Sequence, residues 1–110
     1  MTFSFLELTP SPGKRAAILE LLRFSVDCLK TRPGCLHAGV YEAGDEKQTI
    51  LYLERWGSEQ DLHRHIQSNE YLAVLNAIDL AIGQHDVAFC NVCDTKSIEL
   101  VMALRSATAI

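Results

Sequence analysis

The strand-like segments of this 110-residue chain are apolar at both parities, and this limits its folds more than any other feature. Phe3 and Phe5 stand against Leu6 and Leu8, and Ile50 and Tyr52 against Leu51 and Leu53. Successive side chains of a strand point to opposite faces, so a sheet wetted on one side alternates apolar with polar residues. Here both faces call for burial. Helices cover one face, and a second copy of the sheet is the simplest cover for the other, which predicts a homodimer.

The order of elements supplies that sheet. Thr2–Thr9 reads as a strand broken by Thr9-Pro-Ser-Pro-Gly. Lys14–Lys30 carries Ala17, Ile18, Leu21, Leu22, Val26 and Leu29 at helical spacing, and Thr31-Arg-Pro-Gly ends it. Cys35–Ala43 and Gln48–Trp56 form a hairpin across the polar turn Gly44-Asp-Glu-Lys. Ser58-Glu-Gln-Asp opens a helix to about Gln67, with Ser58 as its cap. A second segment restarts at Ser68 and runs through Leu72, Leu75 and Ile78 to Ala81, where Gly83 closes it; Val87–Cys93 is a fourth strand. Residues 94–110 fit strand alternation as well as helical spacing; Asp94 as a cap and the helix formers after Glu99 favour a helix, with the last few residues frayed. The order β-α-β-β-α-β is the split-βαβ, ferredoxin-like arrangement: an α+β single domain over residues 1–110, its four-stranded antiparallel sheet covered by helices on one face.

Composition excludes several function classes. No apolar run is long enough to cross a bilayer, and the N-terminus lacks the pattern of a signal peptide, so a cytoplasmic address with no membrane partner is expected. Net charge is −4 and the ten basic residues are scattered, which argues against nucleic acid. Cys28, Cys35, Cys90 and Cys93 are expected as free thiols. Cys90-Asn-Val-Cys93 has a metal- or redox-like spacing, but on a strand its side chains point to opposite faces, so both are read as small buried hydrophobes. The four histidines form no metal set, since His63 and His65 would point about 200° apart on a helix. No metal is expected.

Pro33-Gly-Cys-Leu, the strand ending Val40-Tyr41, Ile50-Leu-Tyr-Leu-Glu-Arg-Trp-Gly-Ser, then Leu62, His65, Ser68 and Tyr71 together resemble the antibiotic-biosynthesis-monooxygenase family. The resemblance covers roughly residues 2 to 93, and residues 94–110 are similar to a C-terminal extension of some members. It implies a dimeric α+β barrel with a pocket between each subunit's sheet and helices. It also implies oxidation of quinols or anthrones without metal or flavin, and so no cofactor. Haem-degrading relatives are a poor match: His65 falls at their helix tryptophan, Leu75 at their iron-ligating histidine and Leu6 near their asparagine. Many quinol-type members carry a second histidine where this chain has Glu70.

The function expected is therefore cofactor-independent monooxygenation of a small electron-rich, quinol-like or polyphenolic aromatic by dioxygen. His65 is the candidate catalytic base, with a structural histidine bonded to Glu54 or a backbone carbonyl as the alternative. Tyr52, Glu54, Trp56 and His37 are candidate substrate-binding residues. Each also has a bland reading: Trp56 as a packing anchor, Tyr52 as a core tyrosine, and His37, on a face with Cys35 and Tyr41, as part of a dimer seam. The rival class is a non-catalytic dimeric module that binds a small ligand or a protein. An isomerase of a phosphorylated sugar ranks last, because only Arg55 and Arg64 are near enough to cradle a phosphate.

Overall fold

The computed structural model describes residues 1–108. Strand β1 (Thr2–Pro10) is followed by helix α1 (Arg15–Leu29), then by the hairpin of β2 (Cys35–Glu42) and β3 (Ile50–Trp56). Helix α2 (Glu59–Ile66), a 3-10 turn (Asn69–Tyr71) and helix α3 (Leu72–Asp79) lead into β4 (Ala81–Asn91), and α4 (Ile98–Thr108) comes last. The sheet order is β2-β3-β1-β4 with every neighbouring pair antiparallel, as a split-βαβ chain requires.

One sheet face is the core. Leu6, Leu8, Ile50 and Tyr52 meet Ile18, Leu19 and Leu22 of α1 and Val74 and Ala77 of α3, all buried. Each large apolar side chain sealed there contributes about 1.5–3 kcal/mol. A second cluster of Leu29, Trp56 and Leu62 closes the end of the sheet under α2. The opposite face is bare in the protomer, where Phe5, Tyr41 and Leu51 are exposed. Two-sided apolarity thus becomes one covered and one uncovered face.

Local chemistry explains the boundaries. Ser58 caps α2, its hydroxyl accepting from the Asp61 amide at 3.2 Å, while Glu59 and Asp61 sit at the positive helix end. In the hairpin loop, Asp45 accepts the Thr49 amide and hydroxyl at 2.8 and 2.6 Å, and the hydroxyl bond first of all holds its carboxyl below the usual range.

Some boundaries differ from the sequence reading. The helix expected to reach Ala81 stops at Asp79, and β4 begins at Ala81 rather than Val87. Pairing of Pro10 with Ala81 and Thr9 with Ile82 converts an apolar stretch that fits either period into strand, with a bulge opposite Glu7–Thr9. Cys93 lies past the end of β4, and both Cys90 and Cys93 are exposed, not buried; Cys90 pairs with Phe3 and so falls on the face that no helix covers. The C-terminal helix starts at Ile98, with Ser97 rather than Asp94 accepting the Glu99 amide at 3.3 Å. Its Ile98, Val101 and Met102 are exposed. The fraying expected at the extreme terminus lies partly outside the described residues.

Gly34 joins the hairpin to α2. Its φ is +86°, a methyl group there would run into the Asp61 carboxylate, and its carbonyl accepts the Gly57 amide at 2.8 Å. Both the left-handed backbone and the close approach demand glycine. We expect Gly34→Ala to cost about 1–3 kcal/mol, read as a lowered melting temperature by calorimetry.

Candidate functional site

Tyr52, Glu54 and Trp56 alternate onto the covered face of β3, so a carboxylate is carried into the core between two aromatics. Glu54 is 0% exposed. A buried carboxylate is tolerable only when donors replace its water. Three do so here. The Tyr52 hydroxyl donates to Glu54 Oε2 at 2.7 Å, His65 Nε2 bonds the same oxygen at 3.1 Å, and Trp56 Nε1 donates to Oε1 at 3.0 Å. The Ser25 hydroxyl lies 2.6 Å from that of Tyr52, whose proton is committed to Glu54, so Ser25 is the donor.

The phenol of Tyr52 is pushed far above its ordinary pKa, by burial first and then by the negative charge of Glu54. The same two causes, in the same order, raise Tyr71 and the Cys35 thiol.

Helix α2 delivers His65 to this carboxylate. Its side chain is 3% exposed. Trp56 stacks on the ring at a centroid distance of 5.2 Å, and Tyr71 meets it edge-on at 5.2 Å. The Ser68 hydroxyl donates to the His65 carbonyl at 2.6 Å and ties down the end of the helix. With Nε2–H given to Glu54, a neutral ring keeps its lone pair on Nδ1.

A cleft of about 250 Å³ opens onto this pair, lined by Arg32, Pro33, Trp56, Asp61, Arg64, His65 and Ser68. Arg32 Nε donates to Glu70 Oε2 at 2.9 Å, and Arg64 pairs with Asp61 at 2.9 Å, so each rim cation has its own carboxylate. The pocket implied by family resemblance, between sheet and helices, is here filled by core side chains, and the opening is confined to the Trp56 end.

Of the residues singled out from sequence, the structure brings His65, Glu54, Trp56 and Tyr52 into one network. Tyr52 is placed differently from a substrate-orienting group: its hydroxyl is occupied by Ser25 and Glu54, and it does not line the cleft. His37 does not join them. A bulge lets Cys35 pair with Trp56 while His37 pairs with Arg55, so Cys35 turns inward and His37 outward, where it bonds the Tyr41 hydroxyl at 2.8 Å. The expectation that Cys35 and His37 share a face is corrected by that extra residue. Arg55 is on the outer face too, so Arg55 and Arg64 form no phosphate cradle.

Sequence reasoning missed Ser25 and Arg32. Ser25 had a signal, as a polar residue in the stripe Ile18, Leu22, Ser25, Leu29. Among the described residues, no group of three or more His, Cys, Asp or Glu side chains is placed to hold a metal.

Glu54→Ala leaves three buried donors unpaired and is expected to cost about 3–5 kcal/mol in denaturant unfolding, well above an isosteric Glu54→Gln. A raised native pKa means that the stability Tyr52 and Tyr71 contribute is fully present below about pH 10 and is lost as pH rises beyond it. The phenolate absorbance of Tyr52 and Tyr71 should therefore emerge together with alkaline unfolding, as Tyr52→Phe and Tyr71→Phe difference titrations would show.

The family model described as antibiotic biosynthesis monooxygenase matches residues 1–77. Among solved structures, Rv0793 from Mycobacterium tuberculosis aligns with a TM-score of 0.77 at 23% identity, covering 87% of this chain and 98% of its own. A structure described as an antibiotic biosynthesis monooxygenase aligns at 0.73 with 16% identity, over 86% of this chain and 100% of its own. A conserved protein from Methanosarcina mazei Go1 gives 0.72 at 17%, over 83% and 92%. No curated protein matches the chain. At these identities the structural likeness shows the fold. With an α+β sheet of this topology and a family match over most of its length, the chain belongs to the antibiotic biosynthesis monooxygenase family.

Proposed function

We propose that the protein is a cofactor-independent monooxygenase acting on a small electron-rich aromatic, with His65 as general base. The observation that carries this reading is the His65–Glu54 pair, sealed among aromatic rings at the wall of the cleft. Glu54 orients the imidazole and stabilises the positive charge it gains on taking a proton at Nδ1. Trp56 and Pro33 offer an apolar wall to a flat ring. The cleft, about 250 Å³ and open on one side, has room for one or two rings, given that a dry cavity of about 150 Å³ holds benzene.

The reaction balances without a further reductant. His65 removes the proton of a phenolic or enolic hydroxyl, and the anion passes one electron to dioxygen. The substrate radical and superoxide combine to form a C–O bond, and the O–O bond then breaks. One oxygen remains as a new carbonyl, and the other leaves as water with the hydroxyl and ring hydrogens the substrate has lost. The protein contributes deprotonation, positioning and exclusion of bulk water. We also propose that the working form is a homodimer, since Phe5, Tyr41 and Leu51 leave one sheet face bare in the protomer.

A second reading, a non-catalytic dimeric module for a small ligand, draws on Trp56 and His65 being only 1% and 6% exposed. Oxygen uptake with a panel of quinols and polyphenols separates the two. His65→Ala should lower kcat by about 10²–10⁴-fold. Unchanged turnover in that variant removes His65 from the mechanism, and tight ligand binding with no oxygen consumption establishes the module.

A further inference from the structure

The outer face of the sheet is charged asymmetrically along its strands. Arg55 lies at one end beside Phe3 and His37, its cross-strand neighbours. Glu7 lies at the other end, paired with Leu51 and Asp86. Phe5, Leu53 and Ala88 occupy the middle. Phe3 and Glu7 are four residues apart on β1, which is about 13 Å of strand. Arg55 is half-buried and its Nε finds no hydrogen-bond partner. Among the described residues, the side chains of Glu7 and Asp86 are likewise without an ion pair or hydrogen bond. At that separation the three cannot satisfy one another within one copy.

The acidic end is also concave. A hollow of about 360 Å³ is walled by Phe5, Tyr41, Leu51, Leu53 and Ala88, with Glu7 and Asp86 at one side. An apolar trough ending in two carboxylates suits a side chain with an aliphatic stem and a cationic head, as arginine has. A two-fold axis in the plane of the interface, crossing the strands near Phe5 and Leu53, sets each end of one face over the opposite end of the other.

We infer that two copies pair in this register, each placing Arg55 in the hollow of the other against Glu7 and Asp86. Apolar contact around Phe5 and Leu51 drives the association, and the two identical clasps set its register and reject a shifted docking. The inference rests on the pairing proposed above and on nothing in the chemistry of His65.

Charge exchange tests it. In analytical ultracentrifugation, R55E and the double variant E7R/D86R should each dimerise about 30-fold or more weakly than the unaltered chain, with circular dichroism showing both folded. Mixed in equal amounts, they should form a heterodimer at concentrations where neither pairs alone, since one clasp is then the native pairing and the other is restored with inverted charge. As a second route that keeps the cation, R55K should be coupled by a zero-length carbodiimide to Glu7 or Asp86 of the other subunit. A dimer indifferent to R55E, or charge variants that stay apart when mixed together with an R55K dimer that yields no such cross-link, overturns the register while leaving dimerisation intact. A chain that is monomeric without substitution overturns the pairing itself, and neither result bears on oxygen uptake.

Discussion

Much of this molecule is arranged around one carboxylate that water cannot reach. Glu54 sits on β3 between Tyr52 and Trp56 and is completely buried. Leaving it without donors would cost several kcal/mol, so the surrounding elements must each bring one. Helix α1 contributes Ser25 through Tyr52, β3 contributes Tyr52 and Trp56, and α2 contributes His65. The hydrogen bonds therefore do more than satisfy a charge. They hold the two helices to the sheet at fixed positions and decide which nitrogen of His65 is left over.

The supporting backbone is correspondingly specialised. Gly34 lets the turn before β2 pass against the first turn of α2, which sets where that helix begins, and Ser58 caps it there. From that start, His65 falls one layer above Glu54 and in contact with Trp56. The bulge at the beginning of β2 turns Cys35 inward to pack beside Trp56 and sends His37 to the other side. A regular strand would have kept both on one face.

The two faces of the sheet thus carry different tasks. The covered face holds the core and, at the Trp56 end, a cleft bounded by paired cations and carboxylates. The bare face holds an apolar centre with opposite charges toward its ends. A substitution on one strand reaches one face or the other according to its parity, so neighbours such as Glu54 and Arg55 belong to unrelated interactions.

Much was legible from residues alone, because it depends on periodicity and turn chemistry. Helical spacing in α1, the Ser58 cap, the polar turn before β3 and the two-sided strands are local patterns whose physics does not wait for tertiary contact. The parity of β3 already grouped Tyr52, Glu54 and Trp56. What only the tertiary structure decided is where those patterns were broken or joined at long range. One inserted residue in β2 set Cys35 and His37 on opposite faces, pairing with β1 drew Ala81 and Ile82 into a strand, and the register of β4 put Cys90 beside Phe3 on the uncovered face. Tyr52 became a member of a closed network because Ser25, 27 positions away, met its hydroxyl. Local rules assign a side chain a direction, but whether that direction ends in water, a cleft or a buried carboxylate is set by what the rest of the chain packs against it.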